Sequence, residues 1–165
     1  MDKIEELLKD PKTDLQKQAL TDKSYKKTPN NQDCKINFEL ATYGDAILKC
    51  VLCKIYFERE DEDNFGFKGK LTEWKKQYES DEVLIKFIAR HYDILNFLNF
   101  DSGDTKKPQD YKYEDKNAKR RYKYIATAME ACIAAVYIEN GENEVIEIVK
   151  QWIEWIDKVT NSSDT

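Results

Sequence analysis

From about Ile36 to Arg59 the chain runs without a proline, and its apolar residues fall at helical spacing. Leu40, Tyr43, Ile47, Val51 and Ile55 form a stripe that Leu48, Leu52 and Tyr56 widen. An apolar arc that broad belongs to a central helix wrapped by others. The stretch Leu40-Ala41-Thr42-Tyr43-Gly44-Asp45-Ala46 places a carboxylate, Asp45, inside this run. Gly44 costs roughly 1 kcal/mol relative to Ala in a helix, so the position predicts close approach by a neighbouring backbone or a ligand. A second segment of the same character, Ala126-Thr127-Ala128-Met129-Glu130-Ala131, runs on to Tyr137. Its small residues at 126, 128, 131, 134 and 135 predict tight packing against the helix that bears Asp45. Ile125, Ala128, Met129, Cys132, Ile133 and Val136 are expected to face inward.

The other elements form a frame around this pair. Met1 to Lys9 is amphipathic, with Ile4, Leu7 and Leu8 on one face. After Pro11 a helix begins near Thr13 or Asp14, where Asp14 and Gln18 give a loose capping pattern. Lys26 to Asp33 and Glu58 to Asp63 read as loops. Lys68 to Tyr78 and Asp81 to His91 read as helices, the second with Val83, Leu84, Phe87 and Ile88 as its apolar side. Ile94, Leu95, Phe97 and Leu98 form an apolar patch. Asp101 to Asp115 is the longest non-helical candidate. Asn140-Gly141 is a helix stop, and a last helix from about Glu144 to Val159 should bury Ile148, Trp152 and Trp155 or Ile156. No segment alternates as a strand does. The expectation is an all-α protein, one domain over 1–165 with its core at about 13–159.

Three Pro and five Gly in 165 residues agree with helices and few tight turns. The net charge of -5, from 27 basic and 32 acidic residues, gives no support to unselective nucleic-acid binding, although a local basic face is compatible with it. Cys50 and Cys53 have CxxC spacing in mid-helix. With Cys34, Cys132 and the single His91 as the other soft donors, buried free thiols in a reducing compartment are expected rather than a zinc site. No signal-peptide pattern opens the chain, and no run approaches the ~20 apolar residues that span a bilayer. A cytoplasmic location is expected.

Asp45 and Glu130 admit two readings. They are ordinary charges near helix ends, paired with Lys49 or a nearby basic residue, or they are the protein ligands of a hard divalent cation. Mg2+ keeps several waters and takes only one or two carboxylates, so two acidic side chains from different helices suffice. Thr127 lies three residues before Glu130 on the same face, where its hydroxyl could orient a water. Lys116, Lys119, Arg120, Arg121 and Lys123, interleaved with Tyr122 and Tyr124, precede Glu130 and could contact phosphates. Lys68, Lys70, Lys75 and Lys76 supply a second group of positive charge. His91 and Trp74 are expected to be structural.

Four segments in order resemble the ribonuclease III endonuclease domain. Ala19-Leu20-Thr21-Asp22-Lys23-Ser24-Tyr25 resembles its early motif, and Tyr43-Gly44-Asp45-Ala46 its signature helix. Gly69-Lys70-Leu71-Thr72 falls where the family turns into a helix, and 129–137 matches its second catalytic helix. Where the common form has two further carboxylates the chain has Ala41 and Thr127. The compact Mini-III subgroup is similar at both places, and Asn117-Ala118-Lys119 resembles another of its segments. The family's dimer-plugging phenylalanine corresponds to Thr42.

The resemblance implies a Mg2+-dependent endoribonuclease, with Mn2+ as a possible substitute, that cleaves double-stranded or structured RNA. Precursor ribosomal RNA is one candidate substrate. It implies Asp45 and Glu130 as metal ligands and catalytic residues together with Thr127. Phosphate contacts would come from Lys119, Arg120, Arg121 and Lys70. It further implies a homodimer, without a membrane partner and without an appended double-stranded-RNA-binding domain. The alternative is a catalytically inactive homodimer that keeps the fold and binds RNA or protein.

Overall fold

A computed structural model describes residues 1–27, 29–59, 69–101 and 122–162. Helix α1 (Lys3–Lys9) buries Ile4, Leu7 and Leu8, as its amphipathic spacing requires. Helix α2 (Asp14–Ala19) is capped by Thr13, whose hydroxyl accepts from the Gln16 amide at 3.1 Å. The cap is therefore Thr13 and not Asp14: the threonine has the extended backbone of a cap, and Asp14 is already helical. A 3-10 turn, Lys23–Lys27, runs into the segment expected as a loop, Lys26 to Asp33, and a second, Pro29–Asn31, lies within it.

Helix α3 (Phe38–Arg59) and helix α7 (Lys123–Asn140) form the centre of the molecule and make its most extensive helix–helix contact. On α3, Leu40, Ile47, Leu48, Val51, Leu52, Ile55 and Tyr56 are buried. Tyr43 departs from the expected stripe. It is 45% exposed and meets Tyr137 edge to face at 6.0 Å, on the outer side of both helices. On α7, Ala126, Ala128, Ala131, Ala134 and Ala135 are all buried, which lets the two backbones approach.

Helix α4 (Lys70–Glu79) follows Gly69, whose φ of +91° suits glycine. Trp74 packs there between Tyr56 and Tyr78. Next come α5 (Asp81–Val83), a π-helical turn (Leu84–Ile88) and α6 (Ala89–His91), as one unbroken helical segment. The amide of Ala89 bonds to the carbonyl of Leu84, five residues back. That wide turn rotates Ile85 inward beside Leu84 and Ile88, and leaves Val83 and Phe87 at the margin of the core. Helix α8 (Glu142–Ser162) closes the bundle with Val145, Ile148, Val149, Trp152, Ile153 and Ile156. Trp155 is half-buried and stacks on the exposed His91 ring at 3.6 Å.

Two polar networks fix this frame. Trp152 donates from Nε1 to Tyr92 Oη at 2.9 Å, and Tyr92 donates to Asp2 at 2.6 Å, tying α8 to the N-terminus. Burial, with the bond to Asp2, holds the Tyr92 hydroxyl well above its usual range. The early motif forms the second. Asn37 is buried and donates to the carbonyls of Ala19 (through Nδ2, 3.2 Å) and Thr21 (through its amide, 2.9 Å). Leu20 and Asp22 meanwhile pair with Asn99 through their backbones. Among the described residues this leaves an isolated bridge, Thr21 to Asn99, and no strand. Residues 19–25 thus anchor the start of α3.

The four cysteines are free thiols, but only Cys132 is buried. Burial pushes its thiol up to about 12. Cys50 is exposed although it lies in the apolar run of α3. Among the described residues no helix is long and apolar enough to cross a membrane.

Candidate metal and phosphodiester site

Asp45 lies on α3 one turn after the buried Ala41, and Glu130 lies on α7 one turn after Thr127. The two helices are held in close register at Gly44. A Cβ there would stand 1.8 Å from the Glu130 carbonyl oxygen and 3.3 Å from the Ala134 amide nitrogen. The close approach that Gly44 predicts is therefore made by the backbone that carries Glu130. It brings Asp45, Thr127 and Glu130 to the rim of one cleft of about 380 Å³, with Ala41, Lys49, Asp81 and Lys123 around them.

The electrostatics of the cleft centre on Glu130. Burial pushes its carboxyl up to about 7, and the neighbouring charges of Asp45 and Asp81 act in the same direction, while Lys123 and Lys49 oppose them. Among the described residues no donor hydrogen-bonds to this carboxylate and no cation pairs with it. Asp45 differs: Lys49 donates to its Oδ2 at 2.6 Å, and the pair is 35% and 44% exposed at aspartate and lysine. The bland expectation of a lysine pair at Asp45 is thus met, but at the open mouth of the cleft. The hydrogen bond to Asp45 holds Lys49 above its usual range, and the charges of Asp45, Glu79 and Glu130 add to this. Thr127 donates to the Lys123 carbonyl at 3.0 Å, so its hydroxyl hydrogen is engaged and its oxygen can still accept.

Asp81 is the cleft residue that sequence reasoning missed. It opens α5 directly after Ser80, whose hydroxyl caps that helix by accepting from the Val83 amide at 3.3 Å. A capping serine followed by two acidic residues reads as ordinary helix-start chemistry. Only the packing of α5 against α7 turns Asp81 toward Glu130.

The donor set suits a hydrated hard cation. Glu130 is a half-buried carboxylate without a partner among the described residues, flanked by two more. Among the described residues no three acidic, His or Cys side chains stand close enough to ligate one ion together. Mg2+, which keeps most of its waters and takes one or two carboxylates, fits such a site better than a zinc-like ion that needs a full protein shell.

The phosphate-contact residues are distributed differently. Lys70 is exposed at the start of α4 and does not line the cleft; Lys123 does. Lys75 faces Glu79 at 3.2 Å. Lys119, Arg120 and Arg121, with Lys68, Lys116, 60–63 and 102–115, lie outside the described residues. A hollow of about 360 Å³ at the opposite end of α7 mixes lysines and carboxylates around Glu139, which already accepts from Thr13 and Gln16 at 2.5 and 2.6 Å.

The two central helices of an all-helical bundle thus each present a carboxylate to one open cleft. The model of the ribonuclease-III-like family matches residues 12–155, and the chain belongs to that family. It is 31% identical over 140 residues to Ribonuclease 3 of Azotobacter vinelandii, covering 85% of this chain and 52% of that protein. For Ribonuclease 3 of Nitratiruptor the figures are 26%, 85% and 54%. The chain thus spans about half the length of the curated relatives it matches. In structure it resembles the nuclease domain of ribonuclease III from Campylobacter jejuni. The TM-score is 0.66 with 24% identity, over 92% of this chain and 94% of that one. That protein is described as flexible in the region involved in its dimer formation.

Proposed function

We propose that the protein is a divalent-metal-dependent endoribonuclease acting on double-stranded or structured RNA. The observation that carries this reading is the Glu130 carboxylate, unpartnered among the described residues, which shares its cleft with Asp45 at the contact between the two central helices. Asp45 and Glu130 would hold Mg2+, with Mn2+ as a substitute. A divalent cation bound there lowers the pKa of a water and stabilises charge developing on a phosphodiester. Thr127, with its hydrogen committed to the Lys123 carbonyl, would accept from and orient a water beside Glu130. Lys123 at the rim, with Lys119, Arg120, Arg121 and Lys70, would contact the phosphate backbone and fix the duplex without reading its sequence.

Family membership and the naming of the matched relatives as Ribonuclease 3 support the reaction class. A homodimer would set two such clefts across a duplex, one per strand. Tyr43 and Tyr137, on the outer side of α3 and α7, are available to such a seam, with Thr42 beside them. Precursor ribosomal RNA remains a candidate substrate, as do affinity with the Mini-III subgroup and a cytoplasmic location in which the free thiols stay reduced. The rival is an inactive member that binds RNA or protein, and Ala41 and Thr127 favour it, since both stand where the common form has carboxylates.

Cleavage of a defined RNA duplex by the purified protein, with Mg2+ and with EDTA, tests the proposal beside Asp45→Asn. Mg2+-dependent scission that the variant loses supports it. A protein that binds the duplex without cutting it under any divalent ion supports the rival.

A further inference from the structure

Lys49 occupies an unusual place for a surface lysine. It sits one turn beyond Asp45 on α3, and its ammonium lies 2.6 Å from Asp45 Oδ2 at the mouth of the carboxylate cleft. Pairs spaced i, i+4 on an exposed helix contribute little to stability. This one also lies within the fields of Glu130, across the cleft on α7, and of Glu79 on α4. The charge balance of the cleft sets how many cations it can hold. With all three carboxylates ionised, as cation binding requires, Asp45, Asp81 and Glu130 face two ammonium groups, Lys49 and Lys123, which leaves one net negative charge. A single divalent ion inverts that to one net positive charge, which one phosphodiester neutralises. A second divalent ion would leave the cleft strongly positive, with Asp45 already shared between an ion and a lysine.

Resting on the metal-centre reading above, we propose that Lys49 is a resident counter-cation that limits this cleft to one divalent ion per protomer. Its ammonium holds Asp45 Oδ2 and leaves the other oxygen of that carboxylate, which accepts no hydrogen bond among the described residues, for the ion and its waters. Lys49 thereby supplies the fixed positive charge that a second ion would otherwise bring to the phosphate. It acts through Asp45 and is a positioning residue.

The test is titration of the metal-free full chain with Mn2+, monitored by calorimetry and by the spin-resonance signal of free Mn2+. Wild type is compared with Lys49→Met, Lys49→Arg and, as a charge-loss control on the outer side of α3, Lys54→Met. Thermal melts establish that each variant is folded, with Lys49→Gln in reserve should the methionine protein not fold. Wild type should take one Mn2+ per protomer. Lys49→Met (or Lys49→Gln) should bind the first ion about tenfold more tightly, since a like charge a few ångströms away has been removed, and should admit a second; a variant that still takes only one ion would overturn the limit. Lys49→Arg and Lys54→Met should stay within about threefold of wild type. A merely structural lysine would weaken binding when lost, the opposite sign. Two Mn2+ per wild-type protomer, or an affinity that Lys49→Met leaves unchanged or lowers, would overturn the inference while leaving the metal centre standing. Absence of Mn2+ binding in every protein would overturn both.

Discussion

The main-chain carbonyl oxygen of Glu130 lies against Gly44, at a point where a side chain on α3 would have to begin: a Cβ there would stand 1.8 Å away. That contact joins the backbone of one candidate ligand to the residue preceding the other. Gly44→Ala should therefore push α3 and α7 apart and destabilise the fold by about 3 kcal/mol, the upper range for overpacking a rigid core. Urea denaturation reads the loss. Cleavage by whatever fraction remains folded should fall as well, because the cleft opens along the same line.

Glu130 should make the metal-free protein sensitive to pH in a defined direction. Its carboxyl is pushed up to about 7 from an ordinary 4.5, so the folded state keeps this proton better than the unfolded chain does. The stability that Glu130 contributes is full below about 4.5 and is lost as pH rises to about 7 and beyond. Melting temperatures of Glu130→Gln minus wild type, measured in EDTA, should grow more positive across that window. Mg2+ at pH 8 should raise wild type and leave Glu130→Gln nearly unchanged.

Asp45→Asn and Glu130→Gln should each lower the cleavage rate about a thousandfold, the order expected when several kcal/mol of charge stabilisation is removed. Thr127→Val should cost less, since it removes a water acceptor and leaves both carboxylates in place. Single-turnover cleavage with enzyme in excess separates these effects from RNA binding.

Tyr92→Phe should destabilise by about 1–3 kcal/mol, because it leaves the buried Trp152 indole N–H without its acceptor and Asp2 Oδ2 without its donor. Cleavage measured below the new melting point should not change, since Tyr92 does not line the cleft. Denaturant midpoints beside activity assays distinguish the two expectations.

Much of this arrangement is legible in the residues. Helical periodicity locates α3 and α7, and the small residues of α7 with Gly44 announce that the two will touch. The two carboxylates in these helices suggest a shared cation, and the resemblance implies their role in catalysis. Other features depend on tertiary packing that no local pattern encodes. Tyr43 fits the stripe by spacing yet faces outward against Tyr137, because the Gly44 contact fixes how α3 is rotated. The π-helical turn at 84–88 brings Ile85 inward against a 3.6-residue period. Asp81 looks like a helix-start acid until α5 docks beside α7. Cys50 lies in an apolar run that predicts burial, yet it is exposed, on the same face of α3 as Tyr43.

The most direct measurement is a crystal of the metal-free protein soaked in Mn2+ and examined by anomalous scattering. One peak per protomer is expected in the cleft between α3 and α7, beside the Asp45 and Glu130 carboxylates, with its loss in Glu130→Gln. A cleft that stays empty at Mn2+ concentrations supporting RNA cleavage, or a peak that persists undiminished in that variant, would contradict this.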